Sequence, residues 1–293
     1  MSILDLFCAV DDFWQAFAPR WEHELLGAGR RRRRAAALHP SEVMTIVVAF
    51  HQSHYRTFKA YYTEHVQVHW RAEFPHLVSY ARYVALVPRV LVPLTAYLHT
   101  RLGACTGISF VDSTPLAVCH NARIGQHRVF AGRARRGKTS VGWFFGFKLH
   151  VVVNDRGELL AFVLTPGNVD DRRPVPRLLR RVRRLFGRLF ADRGYISQPL
   201  AERLLVEHGV RLITKLRKNM HNQLLDLSDK LLLRKRAIVE TIYDQLKNIG
   251  QVEHTRHRSP VNFLVNLVAG LVAYCHQPKK PTLRLDAHLL LAA

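Results

Sequence analysis

The sequence predicts an α/β protein, with a mixed sheet flanked by helices and a helical region ahead of it. Three observations lead there. Up to about residue 104 the apolar residues repeat only at helical spacing. From Thr106 the pattern becomes short alternating or apolar runs bounded by Gly, Asn and Asp, which reads as strands. After Pro174 strands and helices take turns, the mark of parallel pairing. The order is three strands with two hairpin turns, then helix, strand, helix, strand and helix, so the antiparallel part comes first.

In chain order, Trp14, Phe17 and Trp21 space as an amphipathic helix that breaks at Gly27 to Gly29, before the five arginines Arg30 to Arg34. Such a run is a solvated arm or a phosphate contact. Ser41 and Glu42 open a helix through Phe50; further helical segments are expected over Tyr55–His65, Pro75–Leu86 and Arg89–Arg101. Short helices with basic faces suit a helix-turn-helix-like DNA reader and, equally, a region that only packs. Ile108, Phe110 and Asp112 then define a strand ending on an acid. Asn121–Gly142 is a basic loop or hairpin tip with Arg133, Arg135, Arg136 and Lys138, suited to a DNA backbone. Strands follow over Trp143–Val153 and Glu158–Thr165, joined by a turn at Asn154–Gly157. Thr165–Pro176 is a loop in which Asp170 and Asp171 are expected to cap a helix over Pro174–Phe186. Arg188–Ala191 is a strand ending at Asp192, Gln198–His208 a helix and Val210–Leu216 a strand. Pro260–Tyr274 is a final apolar helix capped by Ser259, and residues from Gln277 on form a tail.

Between them, Ser228–Gly250 reads as one helix of about six turns, capped by Ser228 and stopped by Gly250. Ile238 defines its buried face, with Leu231, Ile242 and Ile249 beside it. Arg236, Glu240 and Lys247 lie about 160°, 200° and 180° away, so one carboxylate sits between two cations on the opposite ridge. Alone, that ridge is a solvated, salt-bridged face.

Composition changes the weighing. Lys and Arg number 44 against 22 Asp and Glu, a net charge of +22, which favours a polyanion, nucleic acid ahead of an anionic membrane surface. At 48% hydrophobic, the chain has material for a large core. No targeting segment and no apolar run long enough to cross a bilayer is evident, so no membrane partner is expected. The scattered Cys8, Cys105, Cys119 and Cys275 exclude a zinc knuckle or disulfide scaffold and fit a reducing cytoplasm.

Asp112 falls on the first strand, central in such a sheet, and Asp192 at the end of the fourth, its expected neighbour. Glu240 comes from a helix against the sheet. Three carboxylates converging from these elements suit two divalent ions, since Mg²⁺ is a hard cation that takes oxygen ligands. Two such ions clamp the attacking and leaving oxygens of an in-line phosphoryl displacement. Arg236 and Lys247 are placed to hold phosphates as cations. Lys148 and His150 share a strand face aimed at the same site, His150 weighed evenly between a phosphate contact and a satisfied sheet-face histidine. Arg217, Lys218, Arg256 and Arg258 are further DNA-backbone candidates, His254 and His257 joining the last two in a basic cluster. Asp244 and Glu253 are the alternatives to Glu240.

The motif DRGY at Asp192–Tyr195 resembles the aspartate-x-glycine-aromatic element of DDE transposases from bacterial insertion sequences. Arg236, Glu240 and Lys247 match three members of their tyrosine-arginine-glutamate-lysine signature, with Leu233 where the tyrosine would stand. FVDSTPL, GWFFGFKLH, TPGNVDDR, KLLLRKR and EHTRHRSPVNF are similar to insertion-sequence family nine-eight-two, and the likeness runs from about Pro40 to Pro281. It implies an RNase H-like catalytic core, strand cleavage and strand transfer at element ends, and Asp112, Asp192 and Glu240 as ligands of two Mg²⁺ ions, Mn²⁺ substituting. The partners implied are double-stranded DNA, as terminal inverted repeats and target, and a second copy of the chain, in a bacterial cytoplasm at the nucleoid. The alternatives are a metal-dependent nuclease without strand transfer and a DNA-binding relative without catalysis. The boundaries expected are 1–104 for a helical DNA-binding domain, 105–276 for the RNase H-like catalytic domain and 277–293 for a tail.

Overall fold

The computed structural model describes residues 1–27, 37–140, 142–215, 225–253 and 257–283, with backbone alone at 26 and 27. The chain forms two compact units, residues 102–245 with 279–293, and residues 1–101 with 246–278.

The first unit holds the sheet. Its strands among the described residues are β1 (Ile108–Cys119), β2 (Arg135–Lys138), β3 (Trp143–Asn154), β4 (Leu159–Pro166), β5 (Gly187–Ala191) and β6 (Val210–Thr214). They lie in the order β2-β3-β1-β5-β6, with β4 also on β3. β1, β2, β3 and β4 pair antiparallel, and β5 joins β1 and β6 in parallel, the mixed sheet that the element order predicts. Val111, Val152, Leu189 and Ala191 pack on Val175, Leu178, Leu200 and Leu204 from the helices Val175–Leu179 and Gln198–His208. Burial of that apolar area is the main force holding the layers together.

Several elements differ from expectation. β1 does not stop at Asp112 but continues through it to Cys119, because β3 offers a partner along its whole length. The basic stretch after β1 contributes a short strand of its own, β2, rather than a loop alone. The helix expected over Pro174–Phe186 ends at Leu179. Its run of arginines past that point offers little apolar face to bury.

The long helix is broken. Leu227–Lys235 and Ala237–Asp244 are separate helices meeting at Arg236, and Gln245–Ile249 is a π-helical turn. The cap is Asp226, not Ser228, whose hydroxyl accepts instead from the Arg188 guanidinium at 3.2 Å. Breaking the helix shifts the phase of its faces. Leu232, Leu233, Ile238, Val239 and Ile242 are buried, whereas Leu231 and Ile249, assigned to the core by a continuous wheel, are 37% and 56% exposed.

The helical unit contains Ile3–Gly27, Pro40–Phe50, an α/π segment over Phe58–His69, Tyr80–Leu86, Leu91–Arg101 and Pro260–Cys275. His39 and Glu42 form a capping box on the second of these. The last helix packs on Leu91–Arg101 and Pro40–Phe50, so it belongs here and not with the sheet, where residues 105–276 were expected to lie together. A helix buried from Val265 to Tyr274 needs helical cover on all sides, and this unit supplies it. Tyr80–Arg101 forms a continuous 22-residue helical run apolar enough in length and composition to cross a membrane, which the sequence reading did not find. Its Tyr83, Leu86, Leu94, Tyr97 and Leu98 are spent inside the helical core. In the expected tail, the Leu283 amide donates to Asp155 O at 2.8 Å, extending the sheet unit.

Candidate active site: acids at the end of a parallel strand pair

β5 runs beside β1 only through the register Ile108–Arg188 to Phe110–Phe190. Beyond it β5 stops, and β1 carries Asp112 past its end. Phe110 faces Phe190, so alternation sends Asp112 and Asp192, two residues on in each strand, to one face. That is the carboxyl end of a parallel pair, where open α/β sheets leave room for a ligand.

Local bonds fix each acid. The Ser113 amide donates to Asp112 Oδ1 at 2.8 Å. The Gly194 amide donates to Asp192 Oδ1 at 2.7 Å. A Cβ at Gly194 would stand 2.9 Å from that same oxygen, so glycine leaves the carboxylate room at this bond.

Arg236 joins strand to helix. Its Nη1 donates to Asp112 Oδ2 and its Nη2 to Glu240 Oε1, each at 2.8 Å. Asp112 and Arg236 keep 17% of their side-chain surface, whereas Glu240 is 61% exposed. The break in the helix falls on Arg236, the residue that reaches the strand. Tyr243 makes the second tie, its hydroxyl donating to Asp112 O at 2.6 Å and Leu149 O at 3.3 Å. It lies three residues past Glu240, so it docks the helix that carries the third acid directly on the strand that carries the first. Sequence reasoning passed over Tyr243, although a tyrosine on the buried face of an otherwise aliphatic helix signals a hydroxyl needing a partner.

Burial pushes the Asp112 carboxyl up to about 6, and the charge of Asp192 adds to it, against the opposing pull of Arg236 and the Ser113 amide. The buried Tyr195 hydroxyl is pushed far up, first by burial and then by the charges of Asp112, Asp171 and Asp192. Negative charge therefore gathers here, and oxygen donors short of positive charge fit a hard divalent cation. Among the described residues no three His, Cys, Asp or Glu side chains stand close enough together to hold a metal. Arg236 bridges Asp112 and Glu240, and carboxylates of this kind are what a hard divalent cation takes as ligands.

The other expected contacts are placed differently. His150 pairs with Ser113 in the β1–β3 register and Asp112 with Val151, so His150 and Lys148 occupy the face opposite Asp112. His150 is 1% exposed, bonds Thr165 Oγ1 at 2.8 Å and is held neutral by burial, its pKa lowered to about 4; this is the sheet-face histidine, with no surface for a phosphate. Lys148 Nζ donates to Val169 O at 3.0 Å and Asp171 Oδ1 at 2.9 Å, so it is turned inward rather than toward solvent. Asp171 also accepts from Ser113 Oγ at 2.8 Å and caps no helix; the following helix has Pro174 at its cap. Asp170 bonds the Arg172 amide and guanidinium, which hold its carboxyl down at about 2.

Lys247 belongs to the helical unit and pairs with Glu253 at 2.9 Å, the acid weighed as an alternative to Glu240. Arg258 is exposed in that unit. Arg217, Lys218, Arg256, His254 and the Arg30–Arg34 run lie outside the described residues.

Among solved structures, the cryo-EM structure of the piggyBac transposase synaptic complex with hairpin DNA is similar over 89% of this chain and 73% of that one, at 12% identity and a TM-score of 0.44. No curated protein matches. A family model described as a transposase DDE domain matches residues 102–260. That span is more than half of the 293-residue chain and takes in every strand of the sheet with Asp112, Asp192 and Glu240, and the chain belongs to the DDE transposase domain family.

Proposed function

We propose that the protein is the transposase of a bacterial insertion sequence similar to family nine-eight-two, and that it cleaves DNA at the element's ends and joins them to a target. Asp112, Asp192 and Glu240 are the metal ligands in this reading. The observation that supports it is the β1–β5 register, whose alternation sends Asp112 and Asp192 to one face just past the paired residues, together with the guanidinium that contacts both Asp112 and Glu240. Two Mg²⁺ ions, with Mn²⁺ as substitute, would supply activation of the attacking hydroxyl and charge stabilisation of the leaving oxygen. The chain's own residues do the rest. Asp112 has to be ionised to ligate, and a cation held beside it would favour that form. Arg236, once its carboxylates are engaged elsewhere, presents a planar fork matched to a phosphate. Tyr243 keeps the helix of Glu240 seated on β1. An acid-bearing strand at the centre of a mixed sheet agrees with an RNase H-like core. The excess of cations supplies affinity for duplex DNA. The helical unit would read element ends, and two copies would pair them, in the cytoplasm at the nucleoid.

The test is incubation of labelled element ends with purified protein, with and without Mg²⁺. Wild type should cut and join only with metal, and Glu240→Gln should bind the DNA yet do neither. Cutting by Glu240→Gln at the wild-type rate would overturn the assignment. Cleavage without joined products would leave a nuclease of the same fold.

A further inference from the structure

We propose that the hairpin of β2 and β3 stacks the indole of Trp143 on an unpaired DNA base, its cations resting on the flanking phosphates. The inference rests on the DNA-processing reading of the same unit and adds to it the kind of DNA feature this ribbon recognises.

No Asp or Glu occurs between Asp112 and Asp155. Over that interval Arg123, Arg128, Arg133, Arg135, Arg136 and Lys138 are all exposed. Such a one-signed ribbon repels itself unless a polyanion covers it. At its end Trp143 is 61% exposed, an unusual outlay of aromatic surface in water, while Trp14 is 8% exposed. Lys138 faces Trp143 across the strand pair, with its Nζ 5.7 Å from the ring centroid. The ammonium lies over one face of the indole, so a nucleobase would stack on the other, with the cation at hand for its phosphate.

The mount is rigid, which distinguishes the ring from a side chain on a loose loop. Asn121 Nδ2 donates to Trp143 O at 2.7 Å. The turn is closed by bonds between Thr139 and Gly142 in both directions, at 2.8 and 3.3 Å. Phe144 and Phe145, next along β3, are buried. At Gly137 a Cβ would meet Gly167 O at 2.2 Å, so the ribbon lies flat on the body of the unit. Cations alone serve an intact duplex through its phosphates. A preset indole adds affinity only where a base presents its face, at an unpaired or flipped position.

The experiment compares two labelled duplexes of one sequence, fully paired and with one central base unpaired, binding to the full-length protein by fluorescence anisotropy. Wild type should prefer the unpaired duplex. Trp143→Ala should lose about 5- to 150-fold on it and little on the paired one. Trp143→Phe should restore most of the loss. Arg135→Gln with Arg136→Gln should weaken both duplexes alike and lower the salt slope by up to about two. The exposed position predicts unchanged melting for the Trp143 variants. Equal loss on both duplexes, or none on either, overturns the stacking inference and leaves the function reading standing. Absence of any salt-dependent DNA binding by wild type overturns both.

Discussion

Replacing Arg236 with Gln should destabilise the metal-free protein strongly at pH 8 and much less at pH 5. The guanidinium makes two charged contacts of unequal worth. The one to Asp112 is largely shielded, with both side chains 17% exposed, and a charge-assisted bond of that kind contributes about 1.5–3 kcal/mol. The one to Glu240, which is 61% exposed, contributes only about 0.3–0.5 kcal/mol. The pH dependence follows from Asp112, whose pKa rises from 3.8 to about 6, chiefly through burial. A carboxyl raised in this way lends its stability below about pH 4 and loses it as pH climbs through about 6. Arg236 opposes that rise, so its removal moves the midpoint up and deepens the loss above it, by about 1.36 kcal/mol per unit. At pH 5 Asp112 is mostly neutral in both proteins, and the ionic part of the contact is absent from both. A loss of about 2–3 kcal/mol at pH 8 corresponds to roughly 4–12 °C in Tm for a unit of this size. Differential scanning calorimetry in chelator at the two pH values reads it directly. Mg²⁺ should then raise the Tm of Arg236→Gln more than that of wild type, because the same oxygens are no longer held by the guanidinium; saturation to 100 times Kd adds about 2.7 kcal/mol. Equal deficits at both pH values would refute the role of Asp112. An equal response to Mg²⁺ would refute the overlap between guanidinium and cation.

Other outcomes follow from the same contacts. Tyr243→Phe deletes only the hydroxyl that donates to Asp112 O and should cost about 1–2 kcal/mol in urea unfolding; strand cleavage should fall more than DNA affinity if the helix of Glu240 loosens. Asp229→Asn breaks a pair with Arg188, at 0% and 7% side-chain exposure, and should cost about 3–5 kcal/mol, while Asp229→Leu with Arg188→Met should recover much of it. In the helical unit, burial lowers His51 and His257 to about 4, so the unfolded chain takes up protons near pH 6.5 before the native one does. Stability should therefore be full above pH 6.5 and fall toward pH 4, by up to about 1.36 kcal/mol per unit for each group, and His51→Asn should flatten that slope in urea titrations at stepped pH.

The sheet was largely legible because its strands are marked locally. Trp143–Asn154 and Gly187–Ala191 are bounded by turn residues, and the helix Gln198–His208 is capped by Ser197 and closed by Gly209. Placing β5 beside β1 followed from the order of elements alone, and it brings Asp112 and Asp192 to one face. What sequence could not supply was phase. A one-residue alternation decides whether Lys148 and His150 look at Asp112 or away from it, and the β1–β3 register turns them away. The division of the chain was hidden for a related reason. An apolar helix such as Pro260–Cys275 states that it is buried but not by which neighbours.

The helix around Glu240 shows where such reasoning stops. A uniform wheel put Arg236, Glu240 and Lys247 on one solvated ridge, which is right only while the helix is continuous. Arg236 instead stands at the junction of two helices, its backbone still helical, and gives half its fork to a strand acid 124 residues away. Nothing in the local run from Leu231 to Val239 disfavours a helix, so propensity does not mark the junction. Asp112, desolvated and under the charge of Asp192, gains a cation from the residue at which the two helices meet. A junction that meets a distant charge is legible only from both ends at once, since the partner of Arg236 is a strand acid far away in the chain.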